Sequence, residues 1–271
     1  MKEVLLLVEL VYWSTALEGE RNPVSMVLVA SPESGKTDIV RAYADTNYSQ
    51  LVTDLTAWGM VQEVIPQAQN GKVLLVIPDL SIPLARAGPV TSSLIGFILA
   101  YCEEGVGRVA TKFLQLDPPR PVAGGILSSC TKDQFERWRK RWGENGFLSR
   151  FLVVSYSYGG DVQEVIRLMA LGRENKGSDP AVVLPLPKRK VSIAVTEDIQ
   201  KLINSMFEDF AKEYMEEIEF PGYGFRAARQ FRRLIYAAAL RAGRNYVSHE
   251  DVHLVHGLAR RYCNLSYSEA M

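Results

Sequence analysis

The stretch MVLVASPESGKTDIVR, residues 26 to 41, places a glycine, a lysine and a threonine shortly after an apolar run. The run from Val24 to Ala30 predicts a buried strand, and a helix is predicted to begin near Gly35. A loop between a buried strand and a helix presents several backbone N–H groups next to the positive end of the helix dipole. The stretch is therefore typical of a phosphate-binding loop.

Residues 30 to 37, ASPESGKT, match the pattern G-x-x-x-x-G-K-[ST] except at the first position, which is alanine. In this pattern Gly35 permits a close approach of the backbone, Lys36 reaches the β- and γ-oxygens, and Thr37 holds Mg²⁺. Alanine adds one methyl group and still permits a tight turn, so we expect ATP to bind; the alternative is a chance match in a surface loop. The predicted binding residues are Ala30, Ser31, Pro32, Glu33, Ser34, Gly35, Lys36 and Thr37.

A second apolar run, KVLLVIPDLS at residues 72 to 81, predicts a buried strand with Asp79 at its carboxyl end. A carboxylate in this position binds Mg²⁺ and helps to orient the attacking water. We predict that Thr37 and Asp79 bind the metal. Hydrolases of this class usually have two adjacent acids here, whereas Asp79 stands between Pro78 and Leu80. Hydrolysis by the chain alone is left open, and the candidates for a substitute acid are Glu33, Asp54 and Glu63.

The order of patterns along the chain predicts the architecture. Apolar runs alternate with helical patterns through residues 1–170, which predicts an α/β core whose parallel sheet has helices on both faces. Residues 171–190 are rich in glycine, proline and charge and predict a linker. Residues 191–271 predict a small all-α lid domain. Within it, the spacing of Ser248 and Asp251 indicates a helix N-terminus.

Composition limits the function classes. The 271 residues contain 31 basic and 31 acidic side chains, so a nucleic-acid surface must be a local patch. Cys102, Cys130 and Cys263 are widely spaced, which argues against a zinc site or a disulfide framework and favours a reducing compartment. The apolar opening segment contains Glu3 and Glu9 and is too short to span a membrane. We therefore expect a cytoplasmic protein without a membrane partner.

Three later stretches carry polar residues at recognisable places. GGILSSCT, residues 124 to 131, is an apolar strand with small polar residues at its end, and GFLSRFLVVSY, 146 to 156, contains an arginine before another strand. AARQFRRLIYAAALRAGRNYVSHEDV, 227 to 252, combines arginines with an alanine-rich helix. Together with the phosphate loop, and in this order, these motifs resemble the AAA+ P-loop ATPases. The pattern is closest to the minichromosome-maintenance (MCM) helicases, as a minimal relative without their N-terminal DNA-binding region.

The resemblance implies roles for individual residues. Thr131 corresponds to the sensor-1 position, Arg150 to an arginine finger that enters the nucleotide site of a neighbouring subunit, and Arg229 to the sensor-2 arginine. With Asp79, these form the implied catalytic set. From the local sequence alone, Thr131 is equally well explained as the N-cap of the following helix. Arg150 has the alternative explanation of a surface arginine on a turn. For the arginines near Arg229 the alternatives are that they are solvated or that they pair with the acidic stretch at 213–219.

The resemblance also implies an oligomeric ring, with a hexamer favoured, that acts on DNA as a helicase, a helicase loader or a mobile-element replication factor, with a possible partner replication protein. By analogy with a pore-facing hairpin, Arg108 and Lys112 would contact DNA. Arg139 is a third nucleic-acid candidate, because KDQFERWRKRWGENG interleaves basic residues with Trp138 and Trp142. Packing of the two tryptophans against the core is the alternative for that helix.

Two other functions compete with this one. The first is an AAA+ protein-remodelling ATPase, or a switch that assembles on ATP with slow or absent hydrolysis. The second is a monomeric P-loop kinase or GTPase-like enzyme, which gives no role to Arg150 or to the C-terminal helices.

Overall fold

The computed structural model describes residues 2–20, 22–86, 88–160, 186–217 and 224–264. Its centre is a five-stranded parallel sheet in which the strand order is β2-β3-β6-β1-β7. A separate antiparallel pair, β4 and β5, forms a short hairpin. The strands are β1 Met26–Ala30, β2 Ser49–Leu51, β3 Leu74–Ile77, β4 Val109–Ala110, β5 Gln115–Leu116, β6 Gly125–Thr131 and β7 Leu152–Ser155.

The sheet forms where the sequence has continuous apolar runs. Every residue of β1, β3 and β7 is buried, as expected for parallel strands that are covered on both faces. All strands of this sheet begin at one edge, here called the amino edge, and end at the opposite, carboxyl edge. The predicted α/β class is confirmed at this level. The edge strand β2 is short and covers three residues, Ser49–Leu51.

Helices flank the sheet. One of them, α3, passes through three consecutive helical segments, and its π-helical turn comes shortly before Pro66. Proline has no N–H to continue an α-helical ladder, which accounts for a local change of hydrogen bonding there. The helices are α1 Lys2–Trp13, α2 Lys36–Arg41, α3 (Ala57–Gly59, Met60–Val64 and Ile65–Gln69), α4 Ser81–Leu84, α5 Gly88–Tyr101 and α6 Lys132–Glu144.

The C-terminal region is helical, as predicted. It contains α7 Glu197–Glu217, α8 Phe225–Arg241 and α9 His249–Tyr262. The start of α9 is a capping box, in which the Ser248 hydroxyl accepts from the Asp251 N–H at 3.4 Å and the Ser248 N–H donates to the Asp251 carboxylate at 2.8 Å. The predicted helix N-terminus at Ser248 is confirmed. None of the described helices has the length and apolarity needed to cross a membrane.

The first helix of the chain contacts the last helices. Glu3 pairs with Arg261 at 3.0 Å and accepts from the Tyr262 hydroxyl at 2.6 Å, and Glu9 pairs with Arg241 at 2.9 Å. Residues 2–13 are thus joined to the region that was predicted as a separate lid. The linker predicted at 171–190 lies outside the described residues except for 186–190.

Candidate functional site

The loop after β1 has the backbone geometry of an anion-binding turn. Glu33 and Gly35 both adopt the left-handed conformation, with φ of 61° and 73°, and α2 begins at the next residue, Lys36. Left-handed residues in such a turn direct successive N–H groups towards one point. Glycine adopts this conformation at no steric cost, whereas for Glu33 it costs on the order of 1 kcal/mol. The loop is therefore held in a specific, locally strained shape.

Lys36 lies across this loop. Its side chain is buried, and Nζ donates a hydrogen bond to the Ser31 carbonyl at 3.1 Å. Burial lowers the pKa of the Lys36 ammonium, while the charges of Asp79 and Cys130 oppose that shift. A cation that has lost part of its hydration gains more from a bound anion than an exposed lysine does. Lys36 is thus positioned and energetically suited to bind a phosphate oxygen.

The rest of the loop is divided between an exposed rim and a buried base. Ser31, Pro32 and Glu33 are exposed. The Ser34 hydroxyl is buried and has no hydrogen-bond partner within the described part of the chain, while the Ser34 carbonyl accepts from the Tyr156 hydroxyl at 3.2 Å. A buried hydroxyl without a partner is costly, so the Ser34 hydroxyl is free to donate to a polar group or a water in the loop.

Asp79 stands at the carboxyl edge, on the same side of the sheet as the loop. Its Oδ1 accepts from the Ser81 N–H at 2.9 Å and from the Ser81 hydroxyl at 2.6 Å. The flanking Pro78 and Leu80 are both buried, and the Leu80 N–H donates to the Ser129 carbonyl at 2.8 Å. Asp79 is thus a lone carboxylate whose immediate neighbours belong to the core.

The three candidates for a substitute acid are in different surroundings. Glu33 belongs to the loop itself and is exposed. Asp54 and Glu63 line a cleft beside β2, where Asp54 is bound by the Arg86 guanidinium. Because its carboxylate is already occupied by the Arg86 guanidinium, Asp54 is the least available of the three.

Thr131 is an N-cap, as the alternative interpretation predicted. Its hydroxyl accepts from the Gln134 N–H at 3.3 Å, and the Gln134 side chain accepts from the Thr131 N–H at 3.1 Å. Gln134 also donates to the Ser81 hydroxyl at 2.9 Å, and Ser81 holds Asp79. The bond to Gln134 uses an acceptor lone pair, and a hydroxyl has one proton to donate as well. One polar network therefore links Asp79 to the end of β6, between the acid strand and the loop strand.

Arg150 lies at the opposite edge of the sheet. Leu152 pairs with Met26 at the start of β1, so Arg150 precedes the amino edge, whereas the loop between β1 and α2 follows Ala30 at the carboxyl edge. At a rise of ~3.3 Å per residue, the separation is on the order of 20 Å. Arg150 therefore cannot reach the loop of its own chain.

Arg229 lies beside Arg150 and away from Asp79 and Thr131. Arg229 Nη2 is 2.5 Å from Glu103 Oε1, and Arg150 Nε is 3.8 Å from Glu103 Oε2. Arg226 Nε is 2.8 Å from the same carboxylate. The implied catalytic set is therefore split between the two edges of the sheet.

The arginines near Arg229 pair with acids outside the predicted stretch 213–219, in which Glu213 is the one acid whose side chain the structure describes. Arg226 binds Glu103, and Arg233 binds Glu20 at 2.7 Å. Glu213 binds Arg260 at 2.6 Å instead. The first turns of α8 face the amino edge of the sheet, and the sequence pattern gave no sign of this.

The candidate nucleic-acid residues lie on two elements. Arg108 and Lys112 belong to the hairpin segment, whose tip carries Phe113 with 79% of its surface exposed. The Lys112 ammonium is 5.3 Å from the centre of the Phe113 ring. Arg108 is itself highly exposed and only loosely paired, at 4.0 Å, with Asp117. A hairpin is thus present where the resemblance implied one.

Arg139 lies on α6 and pairs with Glu136 at 3.5 Å. On the same helix, Trp142 is fully buried against Phe147, with ring centres 5.5 Å apart. Trp138 is partly buried against the core. The packing alternative is therefore confirmed for Trp142.

No protein-family model matches this chain, and no curated protein matches it.

Magnesium binding is compatible with the residues at the loop. Within the described ranges, no group of three or more His, Cys, Asp or Glu side chains is arranged to hold a metal. Mg²⁺ needs no such group, because it is commonly bound by one or two carboxylates together with phosphate oxygens and water. The Thr37 hydroxyl and the Asp79 carboxylate supply oxygen ligands of the right kind.

Three residues at these sites were not predicted from the sequence. Phe113 could have been found, because it stands next to Lys112 and repeats the basic-aromatic pattern noted in α6. Tyr156 follows β7 and contacts the loop at Ser34, which no local pattern indicates. Glu103 gave no signal either, because its arginine partners are distant along the chain.

Proposed function

We propose that the chain is an ATP-binding P-loop protein of the AAA+ type. The observation that carries this proposal is the loop between β1 and α2, with its two left-handed residues and with Lys36 buried across it near Asp79. Backbone N–H groups, a helix N-terminus and an ammonium group converge there, and this combination fits a nucleotide polyphosphate.

In this proposal, the residues of the site have different roles in binding the phosphates and Mg²⁺. Loop N–H groups surround the phosphates, Lys36 neutralises the β- and γ-oxygens, and the partnerless Ser34 hydroxyl gains an acceptor. Thr37 and Asp79 would hold Mg²⁺, which supplies positive charge to the phosphates. Ser81 orients the Asp79 carboxylate through two hydrogen bonds.

We further propose that the chain assembles into a ring, with a hexamer favoured, in which sites are shared between copies. Arg150 and Arg229 lie together at the amino edge, on the order of 20 Å from their own loop. A head-to-tail arrangement would place the amino edge of one copy against the carboxyl edge of the next. The monomeric kinase or GTPase alternative leaves these arginines without a nucleotide to contact.

For the assembly's target, we propose DNA, acted on as a helicase, a helicase loader or a mobile-element replication factor. The supporting observation is the hairpin with exposed Phe113 beside Lys112, because an aromatic ring next to a cation suits base stacking and phosphate contact. The alternative is a protein-remodelling ATPase or an ATP-dependent assembly switch. It is favoured by the isolation of Asp79 between buried neighbours, which leaves the hydrolytic acid pair incomplete.

The nucleotide proposal is tested by titrating MgATP into the chain in a calorimeter. Lys36→Ala removes a charge-assisted contact and is expected to weaken ATP about 10- to 100-fold. Lys201→Ala is the matched control, because Lys201 is an exposed lysine on α7 that pairs only with Glu197 in the preceding turn among the described contacts. Equal ATP affinity of wild type and Lys36→Ala would overturn the proposal.

The choice between the two targets is tested by binding of a single-stranded oligonucleotide at low salt. Binding that weakens as salt is raised supports DNA. Absence of binding at low salt removes the DNA proposal and leaves the protein-remodelling or switch function.

A further inference from the structure

Three arginines share a single carboxylate at the amino edge of the sheet. Arg150, Arg226 and Arg229, here called the arginine cluster, all approach Glu103, at 3.8, 2.8 and 2.5 Å. Glu103 follows α5, while the arginines come from the turn before β7 and from the first turns of α8. The sheet and the C-terminal helices thus bring these side chains together from three separate parts of the chain.

The charges in this cluster are not balanced. Burial and the neighbouring Arg226 lower the pKa of the Arg150 guanidinium, whereas Glu103 and the exposed Glu104 oppose that shift. Burial alone would raise the pKa of Glu103, but Arg229 and Arg226 outweigh it and leave the pKa below its usual value. The carboxylate is therefore ionised at neutral pH, and positive charge remains in excess around it.

Arg150 is fixed in place and incompletely bonded. One of its guanidinium nitrogens donates to the Gly146 carbonyl at 2.7 Å, and its own carbonyl accepts from Gln230 at 2.9 Å. Its Nε is buried and makes no hydrogen bond to any described residue. Arg226 and Arg229 are each about two-fifths exposed, which leaves the cluster open to solvent from the α8 side. Arg150 is thus held in position with one N–H, at Nε, that has no hydrogen-bond acceptor among the described residues.

We propose that the arginine cluster is a second oxyanion site and that Glu103 occupies it as a stand-in for phosphate. In the free chain Glu103 holds the three guanidinium groups in position. A polyphosphate presents more oxygens and more negative charge than one carboxylate, so it displaces Glu103 from the cluster. In the assembly this polyphosphate is the nucleotide on the loop of a second copy, a part of the inference that rests on the proposed function.

The two roles of Glu103 predict opposite effects of neutralising it. If Glu103 competes with phosphate, Glu103→Gln frees the arginines and strengthens phosphate binding. If Glu103 only stabilises the fold, its loss leaves the arginines poorly positioned and weakens binding. The direction of the change therefore separates competition from support.

The experiment titrates inorganic tripolyphosphate into full-length chain that carries Lys36→Ala, so that the phosphate loop is disabled. Adding Glu103→Gln is expected to raise the tripolyphosphate affinity about tenfold, since it removes one charge-assisted competitor. Adding Arg229→Ala is expected to lower it by a similar factor. The matched control is Glu213→Gln, which breaks a glutamate–arginine pair elsewhere and is expected to change nothing.

An unchanged or weaker affinity in Glu103→Gln overturns the proposal. If that variant does not fold, Glu103→Asp keeps the charge but withdraws the carboxylate from Arg229, and it is expected to raise the affinity about threefold. No increase with Glu103→Asp is equally decisive.

A second readout uses the chain with its phosphate loop intact. Glu103→Gln is expected to lower the ATP concentration at which light scattering detects assembly, whereas a supporting role would raise it. The proposed function fails separately, by equal ATP affinity in wild type and Lys36→Ala. That result would leave the tripolyphosphate experiment valid as a test of the second site.

Discussion

Gly35 shows how one backbone conformation controls the candidate site. Its φ is 73°. A Cβ added at this position would lie 3.5 Å from its nearest neighbour, the Tyr158 hydroxyl, which is an ordinary van der Waals distance. Gly35→Ala is therefore opposed by backbone strain and not by lack of space. We expect a loss of about 1 kcal/mol in the free energy of unfolding, measured by urea denaturation, together with weaker MgATP binding.

Gly257→Ala is the control for this substitution. Gly257 lies exposed in α9 with nothing within 4 Å of an added Cβ. Alanine favours a helix there by up to about 1 kcal/mol, so this variant is expected to be more stable and to bind ATP normally. Equal stability and ATP binding in Gly35→Ala and wild type would contradict the loop geometry.

The predictability of single residues depends on how local their partners are. Gly35 and Lys36 could be assigned because the loop that they build is one continuous stretch between a strand and a helix. Glu103 could not, because its bonded arginines, Arg226 and Arg229, are 123 and 126 positions away. No periodicity or spacing encodes a contact of that range.

Helix α6 provides a test of what Thr131 does. Thr131→Ala removes the hydroxyl that caps α6 and is expected to cost about 1 kcal/mol in unfolding free energy, whereas Thr131→Ser keeps the cap. Ser248→Ala, which removes the corresponding cap of α9, is the comparison and is expected to cost a similar amount. No loss of stability in Thr131→Ala would contradict the capping role.

The hairpin is the element on which the DNA proposal depends. Phe113→Ala is expected to lower the affinity for a single-stranded oligonucleotide about tenfold, through lost stacking, while leaving stability within about 0.5 kcal/mol. Tyr246→Ala is the matched control, because Tyr246 is also exposed and has a cation, Arg244, 5.8 Å from its ring. Equal losses in both variants would argue against a specific role for the hairpin.

Elements with a strong periodic signal were predicted well, and those without one were not. Helix α7, Glu197–Glu217, lies in the region for which the sequence predicted only helices. The edge strand β2 is short and contains Gln50, whose side chain donates to the Val64 and Lys72 carbonyls at 3.1 and 3.0 Å. A polar residue that is satisfied by such tertiary bonds interrupts the apolar pattern. The sequence therefore gives no clear signal for the bounds of β2.

The arrangement of the whole molecule was the least accessible to sequence. Ion pairs of Glu3 and Glu9 join α1 to α8 and α9, although these helices lie at opposite ends of the sequence. The place of Arg150 at the amino edge follows from its position just before a parallel strand. The place of Arg229 beside it depends on where α8 packs, which an alternation of strands and helices does not determine. Because the implied catalytic set is split in this way, a complete site requires residues from two copies of the chain, and this is the central claim.

That claim is tested most directly by the mass of mixed variants in MgATP, measured by light scattering. Lys36→Ala retains the arginines of the amino edge, and Arg150→Ala retains the phosphate loop. We expect wild type to assemble with ATP, each variant alone to stay monomeric, and an equal mixture to stop at a dimer, because the two variants together form one intact interface. A mixture that stays monomeric while wild type assembles, or either variant assembling alone as wild type does, would contradict the account.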